Sequence, residues 1–524
     1  MHNHLSQLSQ QARSAVQGRD WLTVGIIARK IIKQYKKEPE GFFLAGLKEK
    51  ATGRPEMAIS AFSKALALDA RRYDAAIELA NLYFLLLRHG DAYDLLCRYE
   101  KYLDNSSLYL DMAGRIFSGL GLHSRAWPLL KKANLIQPDI DIFRANLAAC
   151  GVLLGKAKEA KSIYLELLSK FPQHQKNHYE LSKIETAKDD THVLQMQKIL
   201  DTTNLTPENN IFIYYAIGKE LEDLGRWQES FNYYKLAGDA VLSVNAYDVT
   251  NDIKVIEKIM KVCNADWLST ETVSKNSKNL EKNPIFIVGL PRTGTTLTER
   301  IVSSHSQVES ADETFFMQMA IRHVSGAGGI GDVTEQIIEK AAKKNIRQIA
   351  QKYSASVDYR LTDRPLYIDK YPYNFLYLGF IAKAFPDARI IYLRRNPMDA
   401  CFAMYKQSFF KFAYSLDDLG RYYVAQDKLR SHWQTVLGDR LIEVDYESLV
   451  TDQEAQTREL LARLGLEFEQ NCMDFEKNSA ASASASTLQV REKVHTRSVD
   501  KWKYFSDELQ PLNDYLKAAG IATD

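Results

Sequence analysis

The segment from Pro284 to Val302 carries the residue types and spacing best suited to chemistry. Pro284-Ile-Phe-Ile-Val-Gly289 is a short apolar, β-rich run, Leu290-Pro-Arg-Thr-Gly-Thr-Thr296 is a glycine-containing loop, and Leu297-Thr-Glu-Arg-Ile-Val302 has helical spacing. A strand, a glycine loop and a helix in that order aim successive backbone N–H groups and a helix N-terminus at an anion, and the glycines let the backbone approach its oxygens. Gly289 and Gly294 have the spacing of the nucleotide loop G-x-x-x-x-G-K-[ST], but Thr295 stands where its lysine would pair the β- and γ-phosphates. Arg292 brings a different cation, earlier in the loop. The segment reads as a cradle for a phosphate-like anion and reads against an ATPase or kinase.

Other features invite chemistry less strongly. Val324-Ser-Gly-Ala-Gly-Gly-Ile-Gly-Asp332 is glycine-rich but follows no strand, so it reads as a flexible loop near the acceptor and not as a second phosphate site. His305, one turn past the loop helix, reads as a packing or hydrogen-bonding residue. Phe409, Phe410, Phe412 and Tyr414 fit an acceptor cleft and core packing equally well.

Pro-Arg-Thr-Gly-Thr-Thr at 291–296, after a strand, resembles the 5′-phosphosulfate loop of sulfotransferases. The surrounding segments are similar to those of bacterial sulfotransferases that carry tetratricopeptide repeats, relatives of the tyrosylprotein sulfotransferases, and the resemblance covers nearly the whole chain. It implies transfer of a sulfuryl group from 3′-phosphoadenosine 5′-phosphosulfate (PAPS) to an acceptor hydroxyl, without a metal. Arg292, Thr293, Gly294, Thr295 and Thr296 would hold the 5′-phosphosulfate. Glu313, in Ser310-Ala-Asp-Glu-Thr314, falls on the family's catalytic glutamate and would take the acceptor proton, with Asp312 beside it as the fallback base. Lys370, in Leu366-Tyr-Ile-Asp-Lys-Tyr-Pro372, matches the lysine that stabilises charge on the departing nucleotide. Arg395 matches the arginine on the 3′-phosphate. Eight residues later the family has a serine for the same phosphate, where this chain has Ala403, so Lys406, Gln407 or Ser408 must compensate or PAPS binds more weakly. Tyr446 matches a tyrosine near the nucleotide. Ser486, three residues before Gln489, matches a serine that assists the transition state, with Gln489, Val490 and Arg491 on the nucleotide, and Lys501 matches a lysine there. The Ser/Ala run around Ser486 reads by composition as a linker and by resemblance as a loop that orders over PAPS. In the tyrosylprotein enzymes arginines two and six residues beyond the glutamate engage acidic residues of the target; here those positions are Phe315 and Met319, which implies apolar or neutral flanks.

The elements that must position these residues fall into two parts. From about Leu5 to Val262 apolar residues recur with helical period, and small residues repeat every 34 positions at Gly46, Ala80, Gly114 and Ala148 and again at Ala58, Ala92, Ala126 and Ala160. Phe62, Leu96, Leu130 and Tyr164 form a bulky series at the same spacing, Pro138 and Pro172 end two units, and Gly53, Gly121 and Gly155 mark turns. This is the pattern of a tetratricopeptide array. Residues 173 to 204 break the register, and Gly218, Gly225, Tyr234 and Ala237 restore it. Such an array stacks into a solenoid that either scaffolds or dimerises the enzyme, or holds a peptide or protein acceptor.

The expected fold is therefore an α-helical solenoid over 1–270, a polar linker at 271–283, and over 284–524 an α/β P-loop-like sulfotransferase domain with a central parallel sheet. A chain of 524 residues requires more than one core. Lys+Arg and Asp+Glu stand at 68 against 66, which gives no electrostatic reason for a nucleic-acid partner. The five cysteines are odd in number and widely spaced, which suggests reduced, mostly buried thiols. The first residues lack a signal-peptide pattern and no apolar run is long enough to span a bilayer, so a cytoplasmic protein is expected. The acceptor expected is a tyrosine of a peptide or protein. A glycan, lipid or small-phenol acceptor, and an adaptor whose nucleotide domain has lost catalysis, are the alternatives.

Overall fold

The 34-residue period fixes how the helices of the first half meet. In the computed structural model, which describes residues 2–103, 106–270, 282–328, 331–478, 480 and 489–523, helices such as Pro39–Ala51 and Pro55–Leu68, or Ser107–Gly119 and His123–Ile136, pair as antiparallel hairpins. A Cβ on Gly46 would lie 2.5 Å from the Phe62 ring, and one on Gly114 would lie 2.7 Å from Leu130. The small residue is there because the bulky one sixteen positions later fills its place. Ala58, Ala92 and Ala126 are all fully buried. The turn inside each hairpin needs a left-handed residue at the same register position. Gly53, Gly121 and Gly155 supply it with φ of 72°, 78° and 75°, and Arg19 and Leu87 adopt it with φ of 56° and 60° despite their Cβ atoms.

The chain forms two compact units, residues 1–150 and 151–524. The first consists of hairpins alone. The second begins with the last repeats, where the short helix Gln175–Ser182 and the helix Thr191–Thr202 form the interruption expected from the sequence. Helices Ile211–Asp223 and Trp227–Val244 resume the pairing, with a Cβ on Gly218 2.9 Å from Tyr234. The linker expected at 271–283 falls mostly on residues 271–281, outside those described.

Five strands follow: β1 (Asn283–Gly289), β2 (Val308–Ser310), β3 (Leu366–Lys370), β4 (Arg389–Arg394) and β5 (Leu441–Asp445). They are all parallel, in the order β2-β3-β1-β4-β5, with β1 at the centre. Both faces are covered, which is why the strands are continuously apolar. Ile285, Ile287, Ile368, Ile391 and Val444 build one core with Leu460, Leu461 and Phe475. Phe286, Val288, Tyr367, Ile390 and Tyr392 face the other way, into a core that includes Tyr215, Phe231 and Tyr234 of the repeats. The last repeats thus share a core with the sheet. Stacking of Phe231 on Tyr405 (5.6 Å) and of Trp227 on Tyr504 (4.5 Å) belongs to that contact. All five cysteines are free, and all but Cys97 are buried. No described helix is long and apolar enough to cross a membrane.

Candidate active site

Every strand delivers its chemistry at its C-terminal end, so the side chains implied by the loop motif meet along one edge of the sheet. β1 runs into the loop 290–294 and then into the helix Thr295–Ser303, whose N-cap is Gly294 in the left-handed conformation (φ 98°) with no side-chain cap. A side chain at 294 would strike the Tyr446 ring at 2.5 Å, so the helix N-terminus stays open to a ligand. Arg292 also has positive φ (67°), which turns its side chain into the cleft. Burial and then the neighbouring Arg395 charge lower its pKa to about 10, which still leaves it protonated at neutral pH.

β2 and β3 bring a carboxylate and an ammonium group together. Lys370, at the end of β3, is fully buried, and its Nζ donates to Glu313 Oε1 and lies 3.5 Å from Glu299 Oε2. Burial favours the neutral lysine, but Glu313, Glu299 and Asp312 outweigh it and hold the ammonium above its ordinary pKa. The Glu313 side chain keeps 30% exposure while that of Lys370 has none, so the carboxylate alone is open to the cleft. Glu299, one turn into the loop helix, is also held by Ser310 Oγ at 2.5 Å. Behind them Asp369 accepts from Thr314 Oγ1 (2.9 Å), Tyr353 OH (2.8 Å) and Asn374 Nδ2 (3.1 Å). Its hydrogen bond to Thr314 anchors the residue next to Glu313.

The far side of the cleft comes from β4, β5 and the C-terminal segment. Arg395 donates to the Arg292 carbonyl (2.8 Å) and the Ser498 carbonyl (2.5 Å), lies over the Tyr446 ring at 4.8 Å, and has a buried Nε without a hydrogen-bond partner among the described residues. Asn396 caps the helix Pro397–Tyr405 by accepting from the Met398 and Asp399 amides. Asp399 in turn accepts from the Asp500 and Trp502 amides at 2.7 and 3.0 Å, which pins Lys501 between them at the cleft.

The cleft, of about 400 Å³, gathers Arg292, Gly294, Thr295, Thr296, Glu313, Arg395, Tyr446, Val490 and Lys501, with Lys370 behind Glu313. Two expected residues lie off it. Thr293 turns its hydroxyl to the Leu290 carbonyl (2.7 Å) and lines a different hollow, and Arg491 donates to the Leu153 and Ala480 carbonyls. Ser486 is outside the described residues, and of Gln489 only the backbone is described. Ala403 does line the cleft, as do Lys406 and Gln407 one turn on. Phe315 and Met319 do not. His305 is a buried structural residue: Nε2 donates to the Glu467 carbonyl and Nδ1 accepts from the Gln307 amide.

Sequence reasoning missed the wall supplied by the repeats. Tyr179, Lys183, Lys219 and Glu222 all line the cleft. Glu222 accepts from Lys406 (2.8 and 3.0 Å) and Tyr234 (2.9 Å) and pairs with Lys501 (2.6 Å). The one available signal was an acid at a buried position of a repeat helix.

Residues 284–470 match the model of the Sulfotransferase family. An uncharacterised protein of Aquifex aeolicus (strain VF5) is 27% identical over 406 residues, which make up 74% of this chain and 52% of that one. This chain therefore spans about half the length of that relative. Protein-tyrosine sulfotransferase 1 of Danio rerio is 25% identical over 240 residues, 42% of this chain and 65% of that one. A sulfotransferase domain from the Synechococcus PCC 7002 olefin synthase is 19% identical with a TM-score of 0.33, covering 45% of this chain and 95% of that one. Residues 284–470 thus form a domain similar to the Sulfotransferase family, preceded in the chain by an array of paired helices of the tetratricopeptide type.

Proposed function

We propose that this protein transfers a sulfuryl group from PAPS to the hydroxyl of an aromatic acceptor, a tyrosine side chain of a peptide or protein or a related phenol. The observation that carries the reading is the buried Lys370 ammonium held against a Glu313 carboxylate that is open to a cleft containing Arg292, Arg395 and an uncapped helix N-terminus. The residues suit the co-substrate: the loop amides with Arg292 would take the 5′-phosphosulfate, and Arg395, whose Nε has no partner among the described residues, would take the 3′-phosphate with Lys501. PAPS supplies an activated sulfuryl group. The acceptor oxygen forms a new bond to sulfur as the bond from sulfur to the bridging phosphate oxygen breaks, and 3′-phosphoadenosine 5′-phosphate (PAP) departs. Glu313 takes the acceptor proton, and Arg292 and Lys370 offset the negative charge that grows on the leaving phosphate. Tyr371, Tyr373, Phe409 and Phe410 line the cleft and would stack on an aromatic ring, which favours a phenol over a glycan hydroxyl. Incubation with labelled PAPS and a host lysate tests the reading. Label in peptide or phenol is expected; label confined to glycan or lipid would overturn the acceptor class, and no label together with no PAP binding would overturn the activity.

A further inference from the structure

Glu222 lies on the Ile211–Asp223 helix, upstream of the matched domain, yet its carboxylate sits in the cleft, 7% exposed. Both oxygens are used: Oε1 meets Lys406 and Lys501, and Oε2 meets Lys406 and the Tyr234 hydroxyl. An ion pair buried in this way adds little to stability that apolar packing would not supply equally well. Its effect falls on the lysines. Two ammonium groups at one point repel, and burial, helped by Lys501 and Arg292, lowers the pKa of Lys406. Glu222 opposes both effects. Although burial would raise its own pKa, Lys406 and Lys501 hold its carboxyl down at about 2, so it stays an anion throughout the working range.

We propose that Glu222 is a positioning residue of the co-substrate pocket, gathering the Lys406 and Lys501 ammonium groups into a charged pair that receives the nucleotide's 3′-phosphate. The pair takes the part of the serine that Ala403 lacks: Ala403 and Lys406 lie one turn apart along one edge of the cleft, and Arg395 lines it with them. The inference rests on the sulfotransferase reading. An anion beside a phosphate site would repel the ligand if it dominated the local charge. Here Glu222 and Asp399 are two carboxylates against the four cations Lys406, Lys501, Arg292 and Arg395 along the cleft, so the cations outnumber them. Lys219 contributes little, because Asp223 neutralises it at 2.6 Å.

Calorimetric titration with PAP and with adenosine 5′-monophosphate, which lacks the 3′-phosphate, tests the inference. Glu222→Gln should weaken PAP by about tenfold or more at pH 8, roughly the weight of one charged hydrogen bond, while leaving the monophosphate unchanged. Without the carboxylate the Lys406 pKa falls further, so PAP binding by Glu222→Gln should take up more protons at pH 8 than binding by the parent, seen as an enthalpy that depends more strongly on the ionisation heat of the buffer. A purely structural role for Glu222 would weaken both ligands together or neither, without added proton uptake, and a competing-anion role would tighten PAP; either result overturns the inference. Lys501→Gln, at a side chain 35% exposed, provides a variant that does not depend on Glu222→Gln folding, and it too should weaken PAP selectively. If the parent binds PAP and both variants match it, only this inference falls. If the parent binds no PAP, the sulfotransferase reading falls and the inference falls with it.

Discussion

The carboxylate proposed as the base, Glu313, and the Lys370 ammonium are kept in contact at the end of β3. In the proposed transfer Glu313 can take the acceptor proton only as Lys370 shifts its pairing toward the leaving phosphate, where negative charge grows. Glu313→Gln should bind PAP nearly as well as the parent and lose transfer by roughly 10²–10⁴-fold, measured as single-turnover rates. A matching loss of PAP affinity would reassign Glu313 to nucleotide binding. How much of this could be read from the sequence varies residue by residue. Arg292, Lys370 and Arg395 each end or follow a strand in a recognisable run, so their places on the sheet edge were legible. Thr293 belongs to the same run, but the positive φ of Arg292 turns it to the other side of the loop, and spacing alone does not encode such a reversal. Glu222 left only the trace of an acid at a buried position of a repeat helix, because the two lysines that give it a place in the cleft lie 184 and 279 positions away.

Among the elements, the hairpin turns at positions 19, 53, 87, 121 and 155 all take the left-handed conformation, but only three of them carry glycine. Leu87→Gly should therefore stabilise the first unit by about 0.5–1 kcal/mol, the relief of left-handed strain less the added freedom of the unfolded chain. Urea unfolding would measure it, with Leu87→Ala as a control that keeps the Cβ and should gain nothing; a loss with glycine would mean that the leucine side chain contributes more than its backbone costs. The repeats were legible for the same reason that this prediction is simple, since Gly46 and Phe62 or Gly114 and Leu130 are local complements at fixed spacing. Strand β3 holds a second test. Burial raises the Asp369 carboxyl to about 7, against the donated hydrogen bonds of Tyr353 and Thr314. A raised folded-state pKa means that its contribution is complete below the unfolded value of about 3.8 and is lost as pH rises through about 7. That loss amounts to up to roughly 4 kcal/mol. Asp369→Asn should flatten the melting temperature against pH between 4 and 7, whatever its absolute level; two parallel curves would show that Asp369 is ionised throughout.

At the scale of the whole molecule, the first compact unit and the site are separable, and the last repeats and the site are not. A chain of residues 151–524 should fold and bind PAP with little change in affinity, because every described side chain lining the cleft lies within it. A chain of residues 284–524 should aggregate, since Phe402, Tyr405 and Phe505 would lose the cover of Trp227, Phe231 and Tyr234, at a cost of about 1.5–3 kcal/mol for each ring exposed. Soluble expression and PAP titration of the two chains decide the matter, and equal behaviour would show that the repeats are dispensable to the site. The parallel order β2-β3-β1-β4-β5 also sets a timetable. On the ribosome the hairpins close from neighbouring residues as they emerge, whereas β1, although made before its partners, must wait for both β3 and β4 before it can take its central place. Throughout that interval the Trp227–Val244 helix presents its aromatic rings to water, and Glu222 waits without either of its lysines. The chain's most exposed moment thus falls after the array is complete and before the segment bearing Lys501 has left the exit tunnel.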